Sequence, residues 1–194
     1  MRWFLAVILA VVLLASCAPT AQAEEVTTEL TADQQAIRAI LSQYRSPLPP
    51  WTIEAFAGNH PDFDIAGYLA VMMCESSLGT TGGSFRYNNP GNIKFGGWRA
   101  ADDPKVWLRW MNGSWHCRGQ GVYGTFPSMY WGQRAAIRLI YETGYNARLA
   151  AHDWWGFANR YYGRTVAGIS GYVANLRAAH NRFVKTAALY GAAW

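Results

Sequence analysis

One carboxylate ends an otherwise apolar segment of the chain. Glu75 follows residues 65–74, which are almost all aliphatic, aromatic or small. A carboxylate in such surroundings is costly unless it is paired or has a function. Because desolvation raises the pKa of a carboxyl, and a general acid at neutral pH needs a raised pKa, Glu75 is a candidate general acid. The alternative is a structural carboxylate that pairs with an arginine.

A polar loop and a group of aromatic residues follow Glu75. Residues 84–92 contain three asparagines, and Pro90-Gly91 fits the centre of a type II turn. Sugars have apolar ring faces and polar edges, so amphipathic aromatic rings suit them. Rings of this kind follow Glu75 and could contact a sugar there, whereas packing of a small lobe is the alternative for each of them: Trp98, Trp107, Trp110 and Tyr123.

The elements that would position these residues are mainly helices. The apolar run predicts a buried helix that begins after Asp62 or Asp64 and ends at the glycines from Gly79 onward. Thr31 and Gln34 form a capping-box pattern at the start of an earlier helix. Apolar spacing predicts three later helices over 130–142, 153–162 and 170–189.

Between the buried helix and the later helices, the pattern predicts strands. Candidate strands cover 93–98, 106–111, 114–118 and 122–126, and Asn112-Gly113 is a strong signal for a hairpin turn. We therefore expect an α+β fold that is mainly helical, with a small antiparallel β lobe inserted after the buried helix.

The N-terminus has the features of an export signal. The apolar run 3–15 has the length of a signal-peptide core and is too short to span a bilayer. Residues 14–17 resemble a lipobox that would be lipidated at Cys17, and residues 21–23 resemble an ordinary cleavage site. We expect a signal peptide over 1–23, a linker with a short helix over 24–50 and one domain over 51–194. The protein would be periplasmic or extracellular, either freely secreted or anchored in the membrane by a lipid on Cys17.

The two remaining cysteines allow two interpretations. In an oxidising compartment, Cys74 and Cys117 are expected to form a disulfide. A thiol peptidase with Cys74 as nucleophile and His116 as base is the alternative.

The charge pattern limits the class of partner. The net charge is +5 although only 15% of the residues are charged, which suits a polyanion such as cell wall or an anionic membrane. The chain has no run of Lys and Arg and no nucleic-acid reader motif, so we expect no nucleic-acid partner. The four histidines lack metal-ligand spacing, and we expect neither a metal nor another cofactor.

Two segments together resemble a known superfamily. Residues 74–79 (CESSLG) followed by 88–94 (NNPGNIK) are similar to the signature of the lysozyme-like superfamily. Among its branches, the chain most resembles the bacterial and phage endo-β-N-acetylglucosaminidase domain. Residues 123–126 and 129–140 are similar to the segment that begins the helix behind the cleft in that family. The resemblance covers roughly residues 62–145.

This resemblance implies a lysozyme-like fold and hydrolysis of the glycan strands of peptidoglycan. Glu75 would protonate the glycosidic oxygen, and substrate would contact Ser77, Tyr87, Asn88, Asn89, Asn92, Trp98 and Tyr123. Asp102 or Asp103 is the candidate for a second carboxylate. Without one, the acetamido group of the substrate or a sugar hydroxyl would attack, the latter as in lytic transglycosylases. A catalytically inactive module that binds cell wall is the alternative function.

Overall fold

The computed structural model describes residues 29–94, 110–117, 121–162 and 166–194. In these ranges the chain is mainly helical with a small two-stranded antiparallel sheet, which confirms the α+β, mainly helical prediction. The elements in chain order are α1 (Ala32–Gln43), α2 (Pro50–Asn59), α3 (Ile65–Ser76), α4 (Gly82–Arg86), β1 (Gly113–Cys117), β2 (Gly121–Thr125), α5 (Met129–Glu142), α6 (Tyr145–Ala150), α7 (Trp154–Tyr161) and α8 (Val166–Ala188).

Several predictions concern residues outside the described ranges. They are the signal peptide over 1–23, the lipidation of Cys17, most of the strands 93–98 and 106–111, and the candidate site residues Trp98, Trp107, Asp102 and Asp103.

Helix α3 is the buried helix predicted from its apolar sequence. Nine of its twelve residues are buried, and the Asp64 carboxylate accepts a hydrogen bond of 2.8 Å from the backbone N–H of Gly67. This bond identifies Asp64 as the N-cap. Helix α3 packs most extensively against α8, the longest described helix, so these two helices form the centre of the core.

Helix α1 packs on the same core rather than standing apart from it. Its predicted capping box is present, with both the Thr31 side chain and the Gln34 side chain bonded to backbone N–H groups. Ile37, Ile40 and Leu41 are buried in the core that contains α3. The short helix that we expected in a linker thus packs on the core of the domain. Helix α2, which the sequence did not predict, begins with a proline in its first turn.

The small sheet differs from the predicted hairpin. Strand β1 pairs with β2 in antiparallel register, with Gly113 opposite Thr125 and Trp115 opposite Tyr123. Asn112 lies beside this ladder, because its backbone N–H bonds the Thr125 carbonyl and its side chain accepts a bond from the Thr125 hydroxyl. The prediction of a turn at Asn112-Gly113 is therefore wrong: these residues extend a pairing with the following strand.

The helices after the sheet follow the predicted pattern closely. Helix α5 matches its predicted range, and Asp153 caps α7 by accepting a bond of 2.9 Å from the N–H of Gly156. Helix α8 begins at Val166, four residues before the predicted start, and the Ser170 hydroxyl bonds back to the Val166 carbonyl. The short helices α4 and α6 were not predicted. Among the described residues, no helix is long and apolar enough to cross a membrane.

Candidate functional site

Glu75 lies in the last turn of helix α3, where the chain turns away sharply. Ser77, Leu78 and Gly79 all have positive φ angles, of 49°, 58° and 81°. The Ser76 hydroxyl supports this turn, because it bonds the Met72 carbonyl and accepts a bond from the N–H of Gly79. The turn ends the helix directly after Glu75 and leaves its side chain half-buried.

The Glu75 carboxyl accepts hydrogen bonds from two distant parts of the chain. The Tyr172 hydroxyl on α8 donates to Oε1 at 2.9 Å, and the Asn92 amide donates to Oε2 at 3.1 Å. The same amide also donates to the backbone carbonyl of Glu75 at 2.6 Å. These two donors, one directed at each oxygen, fix the plane of the carboxyl group.

A cleft of about 610 Å³ opens beside this carboxyl. Its wall is formed by the end of α3, the loop 91–94, the sheet and one face of α8, with contributions from α5, α6 and α7. Five tyrosines contribute to the lining, together with a lysine and two asparagines: Tyr123, Tyr145, Tyr161, Tyr162, Tyr172, Lys94, Asn92 and Asn175. The volume lies in the usual range for binding sites of small ligands, and the tyrosine rings combine apolar faces with polar hydroxyl groups.

Stacking and hydrogen bonds hold several tyrosines of the cleft wall in place. Tyr162 stacks on Tyr172 with ring centroids 4.6 Å apart, and the Tyr161 hydroxyl donates to the Gly91 carbonyl at 3.0 Å. Burial, with a smaller contribution from the charge of Glu75, raises the pKa of both Tyr161 and Tyr172 well above the ordinary value. The raised pKa keeps the Tyr172 hydroxyl protonated, and therefore able to donate, at neutral pH.

The asparagine loop supports the site, but only one of its three asparagines reaches the cleft. Asn89 is 1% exposed and uses its side chain on the backbone of Ile93 and Gly124. Asn88 donates to the Phe126 carbonyl. The expected substrate contact of Asn89 is therefore wrong, because the side chain is buried and bonded to backbone, and Asn88 does not line the cleft. Asn92 does line it, beside Glu75.

The other residues expected to bind substrate divide in the same way. Tyr123 lines the cleft, whereas Tyr87 and Ser77 do not. Tyr87 stacks on Trp115, which in turn stacks on Tyr123, so this row of rings packs the small sheet against the asparagine loop. Trp110, expected on the cleft side, instead packs against Trp131 at 5.3 Å.

Cys74 also lines the cleft, and it carries a thiol. The predicted disulfide between Cys74 and Cys117 is therefore absent from the structure. Burial, together with the charge of Glu75, raises the pKa of the Cys74 thiol to about 12. Because the thiolate is the nucleophilic form, this environment does not suit the thiol peptidase alternative.

Sequence reasoning missed most of the cleft wall. The apolar spacing places Tyr161 and Tyr162 in one predicted helix and Tyr172 in the next, and gives none of them a role beside Glu75. A usable signal was present in α8: Gly168, Gly171, Tyr172 and Asn175 recur at spacings of three and four, so small and polar residues share one face. Across the described part of the chain, no group of three or more His, Cys, Asp or Glu side chains could hold a metal ion.

Comparison with known proteins adds no relative to this description. No protein-family model matches the chain, and no curated protein or solved structure is significantly similar to it. The functional conclusion therefore depends on the geometry around Glu75.

Proposed function

We propose that the protein is an exported glycoside hydrolase with a lysozyme-like fold, which cleaves β-1,4 bonds between amino sugars in the glycan strands of peptidoglycan. One observation carries the proposal: a carboxyl at the end of a buried helix is held by two neutral donors beside an open cleft lined with tyrosines. The resemblance of residues 74–79 and 88–94 to the lysozyme-like superfamily supports the same function.

Glu75 acts as the general acid in this proposal. Its proton passes to the glycosidic oxygen while the sugar ring gains oxocarbenium character, and the acid becomes a carboxylate. The Asn92 amide and the Tyr172 hydroxyl are already directed at the two oxygens that share this new negative charge. Donors fixed in this way stabilise the developing charge without reorganising during the reaction.

The group that attacks the sugar carbon of the glycosidic bond depends on whether a second carboxylate lies near the cleft. Glu75 is the one carboxylate among the described residues that line it. Asp102 or Asp103, outside the described ranges, would serve as a second carboxylate in a hydrolase. Otherwise the acetamido group of the substrate or a sugar hydroxyl attacks, and a hydroxyl attack would leave an anhydro sugar instead of a reducing end.

The test compares Glu75→Gln with Glu54→Gln on purified sacculi, with mass spectrometry of the released fragments. Glu54 is a matched control because it is a helical carboxylate outside the cleft, paired with the exposed Arg38 at 2.7 Å. We expect Glu75→Gln to lower the rate by roughly 10²- to 10⁴-fold, the usual contribution of a general acid, and Glu54→Gln to leave it unchanged.

The outcomes separate the alternatives. If Glu75→Gln releases fragments at the wild-type rate, Glu75 is not the acid. If the wild-type protein binds sacculi but releases no fragments, the protein is a wall-binding module. The end groups of released fragments identify both the bond that is cut and the type of reaction.

A further inference from the structure

A second concave surface lies between helices α2 and α5. It encloses about 410 Å³, and its lining includes Ile137 of α5. Leu139, two residues further along the same helix, lines the cleft beside Glu75. Two residues correspond to about 200° around a helix, so this α2–α5 groove and the cleft lie on opposite sides of α5.

The α2–α5 groove presents an exposed aromatic platform. Trp51 is 52% exposed, yet its ring is held by stacking on Tyr130, with centroids 4.8 Å apart and planes inclined by 28°. A large exposed apolar side chain that is rigid has little entropy left to lose on binding. This combination suits a flat apolar face of a ligand, such as one face of a sugar ring.

A fixed cation lies at the same groove. The Arg134 guanidinium sits over the rings of Trp110 at 4.9 Å, Trp131 at 5.3 Å and Tyr130 at 5.4 Å. It donates to the Tyr130 hydroxyl at 2.7 Å and has no carboxylate partner among the described residues. The groove also contains Arg138, but Glu142 neutralises it. Arg134 is thus the cation there that an anionic group can pair with.

A buried hydroxyl without a partner is a second, independent sign of a ligand. Thr52 lines the groove and is 6% exposed, and its Oγ1 has no hydrogen-bond partner in the structure. Buried polar groups in proteins are nearly always bonded, so such an atom needs an explanation. A polar ligand or the water that accompanies it would satisfy this hydroxyl.

We propose that the α2–α5 groove is a second saccharide site, which binds a sugar that carries a carboxylate group. The sugar ring lies on Trp51, and its carboxylate pairs with Arg134. The identification of the polymer as a peptidoglycan strand, whose muramic residues carry such a carboxylate, rests on the proposed function. Because the groove is on the far side of α5 from Glu75, a strand bound there keeps the protein on its insoluble substrate without filling the cleft.

The test follows the indole N–H resonance of Trp51 by NMR, in full-length Glu75→Gln protein so that the ligand is not cleaved. The probe is a glycan oligomer of alternating N-acetylglucosamine and N-acetylmuramic acid, compared with a neutral chitin oligomer of the same length. Trp155 is the internal control, because it is 48% exposed and lies on α7, outside the groove. The Trp51→Ala and Trp155→Ala spectra identify the two signals.

We expect the Trp51 signal to shift and saturate with the carboxylate-bearing oligomer, while the Trp155 signal stays in place. Arg134→Gln should weaken this binding roughly tenfold, to about the level of the neutral oligomer, because it removes a charge-assisted bond. Trp51→Ala should also reduce the amount of protein that sediments with sacculi, and Trp155→Ala should not.

The site assignment is overturned if the Trp51 signal does not move with either oligomer, or if it responds only to vesicles of anionic lipid. Equal binding of the two oligomers would overturn the role of Arg134. If the Trp51 signal shifts and saturates but the wild-type protein cleaves no sacculi, the second saccharide site is supported and the proposed hydrolase function is refuted. If the wild-type protein cleaves sacculi but the Trp51 signal does not shift, the hydrolase function is supported and the second site is refuted.

Discussion

Asn92 offers the sharpest test of how the site is built, because its backbone and its side chain have separable roles. Its φ angle is 48°, in the left-handed region that asparagine tolerates and alanine does not. Its side chain donates to the carbonyl and carboxyl of Glu75 and accepts a bond of 2.8 Å from the Ser84 hydroxyl. Asn92→Gly removes the side chain but permits the backbone, whereas Asn92→Ala removes the side chain and strains the backbone.

The structure sets the expected magnitudes. Both variants lose three hydrogen bonds, each with a net contribution of about 1 kcal/mol, so the free energy of unfolding should fall by about 2–3 kcal/mol in Asn92→Gly. Left-handed alanine costs about 1–2 kcal/mol, partly offset because glycine loses more entropy on folding. Asn92→Ala should therefore be less stable than Asn92→Gly by about 1 kcal/mol, which is a further 2–4 °C in Tm for a chain of this size.

Activity should rank the variants differently from stability. Both variants remove the bond that Asn92 donates to Oε2 of Glu75, so both should lose sacculus cleavage by a similar factor of roughly 10- to 100-fold. Urea unfolding followed by circular dichroism gives the stabilities, and fragment release gives the rates. Asn175→Ala is the control for stability: Asn175 is exposed and lines the same cleft, so its loss should change stability by less than about 0.5 kcal/mol. Wild-type stability in either variant would refute the role of these bonds, and an activity that simply follows stability would refute the orientation of Glu75.

Two further predictions concern packing and pH. Gly132→Ala should lower the free energy of unfolding by about 3 kcal/mol or more in urea titrations, because its Cβ would lie 1.7 Å from the Asn88 carbonyl oxygen. The control is Gly58→Ala at an exposed position of α2, which should raise the free energy of unfolding by about 0.5–1 kcal/mol. Similar effects of the two changes would contradict this packing. Burial lowers the pKa of His180 from 6.5, so the unfolded chain takes up a proton at a higher pH than the folded protein, and the free energy of unfolding should fall as the pH drops below about 6.5. His180→Phe should flatten this dependence in urea titrations between pH 5 and 8, and an unchanged slope would exclude His180 as its source.

Local patterns were sufficient to predict the elements that carry Glu75. The apolar run predicts the buried helix α3, and its cap is predicted at Asp62 or Asp64, because capping and apolar patterning act within a few residues. The position of Glu75 at the end of α3 could therefore be predicted from the sequence. The same reasoning failed for Asn112-Gly113, where the dipeptide signal for a turn was overridden by pairing with β2.

Side-chain assignments failed where one residue type serves two purposes. An asparagine amide can bind a sugar or hold a loop, and Asn88 and Asn89 hold the loop. Tyr172 fits an apolar helical face and equally fits the wall of a cleft, so its hydroxyl contact with Glu75 could not be predicted from spacing. Cysteine counting likewise carries no information on distance, and Cys74 remains a thiol.

The contact between α3 and α8 links the site to the stability of the core. Glu75 accepts bonds from residues 17 and 97 positions further along the chain, so this orientation of its carboxyl forms only after α8 has docked on α3. Helix α8, which carries Tyr172, also buries Leu176 and Phe183 in the main core, one turn and three turns beyond that tyrosine. Opening this side of the cleft would therefore expose core side chains, which is costly. A substrate would then enter a cleft that is already formed, with the Glu75 carboxyl held in place by the packing of α8 on α3.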